Sequence, residues 1–316
     1  MVLARVCRLS RYPEVASPEL RGGAVAIGNF DGVHLGHEQV VRVLLEASGG
    51  HSSTVVSFYP HPLRILGRAN DVPVITSVRE KRARLGQLGV DALYLIHFTS
   101  RLAQMSAEEF VEQVLVRALG ARTLVMGQDG ALGRAREGDL TYLRAKLPEY
   151  GIALQVVSTL EIGGVRPGSR SIRSSIGQGD VQGAASLLGR SFSISARVGH
   201  GDKRGGALGF PTMNLVVGKR LIPARGVYAC RVRIGHAEYK AVANIGTRPT
   251  FSGLGERLEV HVLDHDPGSM YGRRIEVFFL ERLRDERRFA SVEELKTQIA
   301  LDVAQARVLL DQQRVV

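Results

Sequence analysis

The sequence predicts two domains: an α/β domain with a parallel sheet, followed by a small antiparallel β-barrel that ends in a helix. The first half alternates short apolar runs with helix-like segments, whereas β-type runs separated by Gly and Pro turns fill residues 192–283. The chain has 316 residues, 44% of them hydrophobic and 23% charged, which is enough material for two cores. We place the boundary so that the domains are residues 1–186 and 187–316.

The first domain contains four apolar runs typical of buried strands, at 22–30, 53–60, 91–98 and 121–127. A segment of helical character separates each run from the next, which favours a parallel sheet with helices on its faces. Ser106 and Glu109 have capping-box spacing and precede an apolar stripe. We therefore expect a helix to begin there.

The second domain contains five β-type runs, at 192–200, 226–234, 239–246, 257–264 and 273–283. Gly and Pro turns separate them at about the spacing of a small barrel. Ser291 and Glu294 form a second capping-box pattern, which predicts a final helix. That helix has apolar residues at every fourth position: Leu295, Ile299 and Val303.

The charge balance favours anionic small-molecule substrates over nucleic acid. Lys and Arg total 42 against 31 for Asp and Glu, a formal net charge of +11. Aromatic residues are only 6% of the chain and no block of five like charges occurs, so neither stacking platforms nor basic tails are evident. Nucleic-acid binding stays a minor hypothesis.

Composition also suggests a compartment. No apolar run approaches the roughly 20 residues that cross a bilayer, and the first residues have no continuous signal-peptide core. Cys7 and Cys230 match neither a metal-site spacing nor a redox pair. We expect a cytoplasmic protein without a membrane partner. The sequence leaves open whether it forms a homo-oligomer.

The first motif is GNFDGVHLGH at residues 28–37, between a predicted strand and a predicted helix. Its glycines let backbone approach a ligand, and a helix N-terminus offers amide donors to phosphate. His34 and His37 are three residues apart, so both imidazoles can donate to a phosphate chain. A glycine-rich turn with incidental histidines is the alternative, and a metal site is a weaker one.

This string resembles the HxGH motif of nucleotidyltransferases, in the longer GxFDGxHxGH form of bacterial bifunctional riboflavin kinase/FMN adenylyltransferases. The segments SFYPHP, GVDALYLIHF and SIRSSIGQGDV extend the resemblance through the half. It implies a Rossmann-like nucleotidyltransferase domain with catalytic His34 and His37. The resemblance further implies ATP or phosphate contacts from Gly28, Phe30, Asp31, Gly36, Ser169 and Arg173, and a flavin contact from Asp129.

The first half departs from that family at two places. Gly130 and Leu132 stand where aromatic residues are usual, which removes stacking surface for a flavin. Gly168 and Arg170 stand where Ser and Thr are usual, which removes two hydroxyl groups. Two hypotheses follow. Either this domain transfers AMP from ATP to FMN, with Mg²⁺, or it has lost or changed that activity and binds nucleotide or serves a structural role.

The second motif is GHGDKRGGALGFPTMN at residues 199–214. A glycine-rich backbone can fold over a phosphate chain, and Lys203 and Arg204 add positive charge. Thr212 and Asn214 are two residues apart, so in an extended segment both point to one side, where their oxygens can ligate Mg²⁺. A hairpin loop leading into an ordinary strand is the alternative.

The second motif resembles the HGxxRGxxLGFPTxN segment of riboflavin kinases, and GVYA, NIGTRPTF, EVHVLD and LRDERRF follow in the family's order. The resemblance implies phosphorylation of riboflavin to FMN by MgATP, with Glu259 as general base. It also implies that Thr212 and Asn214 bind Mg²⁺ and ATP. The other implied contacts are phosphate binding by Gly201, Lys203, Arg204 and Gly209, and flavin binding by Arg284 and Glu286.

Overall fold

The computed structural model describes residues 8–12, 14–67, 72–200, 209–218, 220–250 and 253–312. The chain divides into two compact units, Met1–Gly168 and Ser169–Val316. The boundary expected from the sequence, between residues 186 and 187, lies 18 residues further along the chain than this division. Where the autonomous domains end stays a prediction.

The first unit is built on a six-stranded sheet in the order β1-β4-β3-β2-β5-β6, with all neighbours parallel. The four predicted runs form its four central strands, which confirms the α/β prediction. The two edge strands were not predicted. The strands are β1 Arg8–Arg11, β2 Ala24–Ile27, β3 Ser53–Tyr59, β4 Ala92–His97, β5 Thr123–Gly127 and β6 Ala153–Val157.

Helices cover both faces of this sheet, and alternate residues of β2 and β3 enter two different cores. The capping box at Ser106 is confirmed: its hydroxyl accepts from the Glu109 amide at 3.1 Å, and the Glu109 carboxylate accepts from the Ser106 amide at 2.8 Å. The helices are α1 Leu35–Ser48, α2 Pro62–Ile65, α3 Val78–Gln87, α4 Ser100–Ala103, α5 Ala107–Phe110 with a π-helical continuation Val111–Ala118, and α6 Leu140–Lys146; short 3₁₀ turns lie at Pro18–Leu20, Arg134–Arg136 and Leu147–Tyr150.

The strand order reverses at the centre of the sheet. β3 and β4 lie on one side of β2, whereas β5 and β6 lie on the other. In open α/β sheets, ligands bind outside the carboxyl ends of the strands at such a switch point. The GNFDGVHLGH segment leaves the carboxyl end of β2, so the topology brings this motif to the expected ligand crevice.

The second unit contains a closed six-stranded barrel in the order β10-β11-β8-β7-β12-β9, with antiparallel neighbours. Its interior includes Phe192, Tyr228 and Phe279, whose rings pack on one another. All five predicted β-type runs became strands, and only the short β8 was missed. The strands are β7 Phe192–Gly199, β8 Met213–Val216, β9 Gly226–Ile234, β10 Ala237–Thr250, β11 Gly253–Val262 and β12 Arg274–Arg284.

Three helices accompany the barrel: α7 Ser169–Gln178, α8 Val181–Leu188 and α9 Val292–Gln312. The predicted final helix is therefore confirmed. Val303, Ala306 and Leu310 of α9 pack on the outer face of β9, β10 and β12. None of the helices in the described ranges is long and apolar enough to cross a membrane.

Candidate active sites

The turn after β2 adopts a conformation that few residues tolerate. Phe30, Gly32 and Val33 have φ values of 46°, 89° and 40°. Positive φ suits Gly32, but it is a strained conformation for the β-branched Val33. Such strain persists only where surrounding contacts hold the backbone in place, so the hydrogen bonds of this turn are informative.

Asp31 ties the turn to the segment that precedes α3. Its buried carboxylate accepts hydrogen bonds from the amides of Ile75, at 3.0 and 3.1 Å, and Thr76, at 3.0 Å. The Gly32 amide donates to the Thr76 hydroxyl at 3.0 Å. The structure therefore places Asp31 as a brace of the turn, and its two oxygens face backbone amides.

His34 and His37 form the N-terminal cap of α1 together. Nδ1 of His34 accepts from the His37 amide at 3.3 Å, and Nδ1 of His37 accepts from the His34 amide at 3.4 Å. Because both Nδ1 atoms accept, the ring proton of each neutral imidazole lies on Nε2, the atom that can donate to phosphate. The two rings stack with centroids 3.6 Å apart.

The remaining residues of the first motif shape this pair. The Phe30 ring is buried and its centroid lies 4.7 Å from that of His37. A Cβ at Gly36 would lie 3.3 Å from the His34 ring, so glycine allows that ring to sit close to the helix start. Gly28 directly follows β2, and its amide donates to the Val56 carbonyl at 3.1 Å.

The loop after β5 lies at the same carboxyl edge of the sheet. Asp129 is exposed; it pairs with Arg166, and its carbonyl accepts from Arg136 at 2.6 Å. A Cβ at Gly130 would approach the Met126 side chain to 2.6 Å and the Gly127 carbonyl to 2.9 Å, so this turn has no room for a larger residue at position 130. Leu132 is buried in the core. Positions 130 and 132 therefore provide no aromatic surface on which a flavin ring could stack.

Ser169 and Arg173 belong to α7, in the second unit. Both side chains are partly buried, whereas Arg170 is exposed. Gly168 is the last residue of the first unit. The grouping of Ser169 and Arg173 with the two histidines stays a prediction.

In the barrel, three polar residues form a row across adjacent strands. Glu259 of β11 is directly opposite Asn214 of β8 on one side and Asn244 of β10 on the other. Their neighbours Met213, Leu215 and Leu258 are buried, so the row lies on the outer face of the barrel. The structure thus brings together the predicted base and one predicted metal ligand.

Arg257 occupies the space beside that row. Its Nε lies 2.5 Å from Oδ1 of Asn214 and 2.6 Å from Oε1 of Glu259. Residues 257 and 259 are two apart on β11, so both side chains lie on one face of the strand. Hydroxyl, amide and carboxylate oxygens suit Mg²⁺. Among the described residues, no group of three or more His, Cys, Asp or Glu is arranged to hold a metal ion.

A cavity of about 300 Å³ lies beside the row, between the outer face of the barrel and α9. Thr212 and Glu259 line it together with Arg284 and Glu286, so four predicted site residues share one cavity. Its wall is otherwise largely apolar and includes Phe210, Val227, Val242, Phe289, Leu295, Ile299 and Val303. A small number of polar groups in an apolar cleft is the usual composition of a ligand site.

Arg284 has an ion-pair partner in this unit, and Glu286 lies against Gly246. Arg284 forms a bidentate ion pair with the buried Asp302 of α9, at 2.9 Å from Nε to Oδ1 and 2.7 Å from Nη2 to Oδ2. Oε1 of Glu286 lies 2.4 Å from where a Cβ at Gly246 would be, so glycine makes room for that carboxylate. Arg284 therefore anchors α9 as well as lining the cavity.

Both units are similar to known protein families. The FAD synthetase family model matches residues 16–171, and the riboflavin kinase model matches residues 188–310. The bifunctional riboflavin kinase/FMN adenylyltransferase of Escherichia coli strain K12 is 40% identical over 289 residues, covering 90% of this chain and 92% of the relative. The Pseudomonas fluorescens enzyme of the same name is 41% identical over 295 residues, covering 92% and 94%.

The chain belongs to the bifunctional riboflavin kinase/FMN adenylyltransferase family. A crystal structure described as a macrolide-efflux protein from Streptococcus pneumoniae is also similar, with a TM-score of 0.84 and 30% identity, covering 95% of this chain and 98% of that one. The fold of both units therefore recurs in a solved protein. The family membership rests on the curated relatives.

Part of the family's kinase motif lies outside the described residues, namely Gly201, Lys203 and Arg204, and so does Cys7 of the N-terminal segment. Gly209 is described; it is an exposed residue with a φ of 87°, at the turn that leads towards β8.

Asn244, Arg257 and Lys81 lie near the sites and were not predicted from the sequence. Asn244 belongs to the NIGTRPTF segment, but only the strand register shows that it lies beside Glu259. Lys81 lies in SVREKRARL, which looks like a solvated basic helix, yet its side chain is buried beneath the first motif. No local signal in the sequence distinguishes Lys81 from the arginines around it.

Proposed function

We propose that the second unit phosphorylates riboflavin to FMN with MgATP, and that the first unit transfers AMP from ATP to FMN, producing FAD and pyrophosphate. The observation that carries the proposal is that Glu259 and Thr212 line one cavity with an apolar wall. An apolar wall suits the flavin ring system, and a carboxylate suits activation of a hydroxyl. Family membership supports both activities.

In the kinase reaction, the carboxylate of Glu259 accepts the proton of the ribityl 5'-hydroxyl as its oxygen attacks the γ-phosphorus, and ADP leaves. A placed base contributes about 100-fold to 10,000-fold. Thr212 and Asn214 would hold Mg²⁺, which neutralises charge on the triphosphate. Oδ1 of Asn214 accepts from Arg257 in this structure and keeps a second lone pair with which it can act as a ligand.

In the adenylyl transfer, an oxygen of the FMN phosphate attacks the α-phosphorus of ATP, and the bond to pyrophosphate breaks. His34 and His37 donate from Nε2 to phosphate oxygens and stabilise the charge that develops there. Gly28, Phe30, Asp31 and Gly36 hold the turn that presents them. Ser169 and Arg173 add a hydroxyl and a guanidinium to the phosphates, and Asp129 lies at the flavin side.

A riboflavin kinase whose first unit has lost adenylyl transfer is the alternative, and Gly130 and Leu132 are the observations that favour it. The retained histidine pair and the match to the FAD synthetase model favour the bifunctional enzyme. Without aromatic stacking at those two positions, we expect FMN to bind this unit weakly.

One assay separates the two functions. The protein is supplied with riboflavin and MgATP, and FMN and FAD are resolved by chromatography. We expect both products. FMN alone, even after addition of excess FMN at high enzyme concentration, contradicts the adenylyl transfer, and absence of FMN contradicts the kinase assignment. We further propose that the enzyme works in the cytoplasm on small molecules, without a nucleic-acid partner.

A further inference from the structure

Lys81 of α3 is a buried charged residue that the proposed chemistry does not use. Only 6% of its surface is exposed. Its Nζ donates to the Asn29 carbonyl at 2.5 Å and to the Ser57 hydroxyl at 2.8 Å. The Ser57 hydroxyl donates to the same carbonyl at 2.9 Å. One ammonium therefore joins α3, the end of β3 and the turn that follows β2.

The Asn29 carbonyl lies at the start of the turn that leads to His34. Asn29 directly precedes the positive-φ residues Phe30, Gly32 and Val33, and the turn ends at the cap residue His34. Asp31 braces the next part of the turn against the amides of Ile75 and Thr76. The segment 75–81 therefore supplies both the donors that hold Asp31 and the ammonium that holds Asn29.

Folding stability alone gives little reason for a lysine here. Burial lowers the pKa of Lys81 to about 8, and the negative charge of Asp31 opposes that shift only in part. An ammonium destabilised by burial reduces stability at neutral pH. Shifted pKa values of this kind cluster at functional sites.

We propose that Lys81 is a positioning residue of the adenylyl-transfer site. Its ammonium fixes the Asn29 carbonyl against the end of β3, so that the strained turn presents His34 and His37 to the nucleotide phosphates. Lys81 acts through the turn and does not touch the substrate. This inference rests on the proposed function, because it requires the first unit to make FAD.

The test measures kcat and KM for FAD formation by the full-length chain, with its riboflavin kinase activity as an internal reference. Lys81→Met removes the ammonium and keeps an apolar stem of similar length. Misplacement of catalytic groups by about 1 Å costs on the order of 100-fold in rate, so we expect kcat to fall between about 10-fold and 100-fold. The KM for FMN and the kinase activity should stay near those of the unchanged protein.

Two further variants make the result specific. Lys146→Met removes a half-exposed lysine of the same unit, which pairs with Glu149 at 3.2 Å, and should change neither activity. Ser57→Ala removes one partner of the ammonium and should lower kcat for FAD formation by a smaller factor. Because Lys81 and Ser57 act on one carbonyl, the double variant should be no slower than Lys81→Met alone.

Several outcomes would overturn the inference. If a folded Lys81→Met variant forms FAD at a rate within two-fold of the unchanged protein, the contact between Lys81 and the Asn29 carbonyl has no role in adenylyl transfer. If circular dichroism shows that Lys81→Met does not fold, the Ser57→Ala variant decides the question. An unchanged kcat for FAD formation in Ser57→Ala then rejects the proposed role of Lys81. Multiplying losses in the double variant show that the two side chains act separately. If the unchanged protein makes no FAD, the proposed function itself fails before any variant is compared.

Discussion

At the scale of single residues, the proposed kinase site depends on side chains that face one another only because of strand register. Asn214, Glu259 and Asn244 come from three strands, and a shift of one residue in any strand would turn its polar side chain into the barrel. Arg257 lies on the same face and contacts two members of the row. The chemistry of Glu259 is therefore coupled to a cation two residues away.

Glu259→Gln should lower kcat for FMN formation by about 100-fold to 10,000-fold, because the amide cannot accept the hydroxyl proton. Riboflavin binding, followed by quenching of flavin fluorescence, should persist. Glu256→Gln, an exposed change on the same strand, serves as the control and should leave turnover unaltered. Unchanged turnover in Glu259→Gln would mean that another group is the base.

The buried Lys81 should also affect stability as pH rises. Its pKa falls from the ordinary 10.5 to about 8 on folding, so between these values the unfolded chain binds more protons than the folded chain. The free energy of unfolding then rises with pH across this window, by about 3 kcal/mol for a shift of this size. Urea unfolding of the unchanged protein and of Lys81→Met at pH 7 and pH 10 gives the difference. If the free energy of unfolding of both proteins depended equally on pH, the lowered pKa of Lys81 would be refuted.

At the scale of elements, α9 forms one wall of the proposed kinase cavity and is held by one buried ion pair in addition to its apolar face. The Asp302 side chain is 4% exposed and that of Arg284 is 20% exposed. Gln298 donates to Oδ1 of Asp302 at 2.8 Å, so the carboxylate is well satisfied. Arg284 of β12 therefore adds a buried ion pair to the apolar packing that holds α9 on the barrel.

Asp302→Asn should destabilise the second unit by about 3 kcal/mol, since removing one partner of a buried pair leaves the other charge poorly compensated. It should also raise the KM for riboflavin, because α9 forms one wall of the cavity. Denaturant unfolding and steady-state kinetics measure the two effects. Asp264→Asn breaks the exposed pair with Arg307 and should lower the stability much less than Asp302→Asn does. Similar losses of stability in Asp302→Asn and Asp264→Asn would contradict an anchoring role for Asp302.

Local signals predicted several elements well. The capping boxes at Ser106 and Ser291 marked helix starts, and the hydroxyl of Ser291 does accept from the Glu294 amide at 3.1 Å. The missed strands have weak local signals. β1 and β8 are only four residues long, and β6 is an edge strand in which Ala153 and Gln155 are exposed. Short strands of this kind form because they pair with a neighbouring strand rather than because of their own residue pattern.

At the scale of the whole molecule, the position of α7 and α8 decides how the chain divides. In the second unit, Gln182 of α8 donates to Glu281 of β12 at 3.2 Å, and the Ala224 amide donates to the Ile176 carbonyl of α7 at 3.2 Å. Both helices thus contact the barrel. A boundary between residues 186 and 187 falls inside α8.

A fragment of residues 169–316 should therefore be a more stable kinase than a fragment of residues 187–316, which lacks the buried Val181 and Ala184 of α8. Loss of such apolar packing costs about 1.5 to 3 kcal/mol per large side chain. Thermal unfolding and FMN formation by the two fragments test the expectation. Equal stability would favour the boundary expected from the sequence.

The sequence by itself determined the fold class of both units, the central strands and the two motifs, because hydrophobic period, capping residues and glycine-rich turns are local properties of the chain. Only the tertiary structure decided which side chains meet. It placed Lys81 under the first motif, Asn244 and Arg257 beside Glu259, and Asp302 against Arg284. Such pairings depend on register and packing between segments distant in sequence, and no local pattern encodes them.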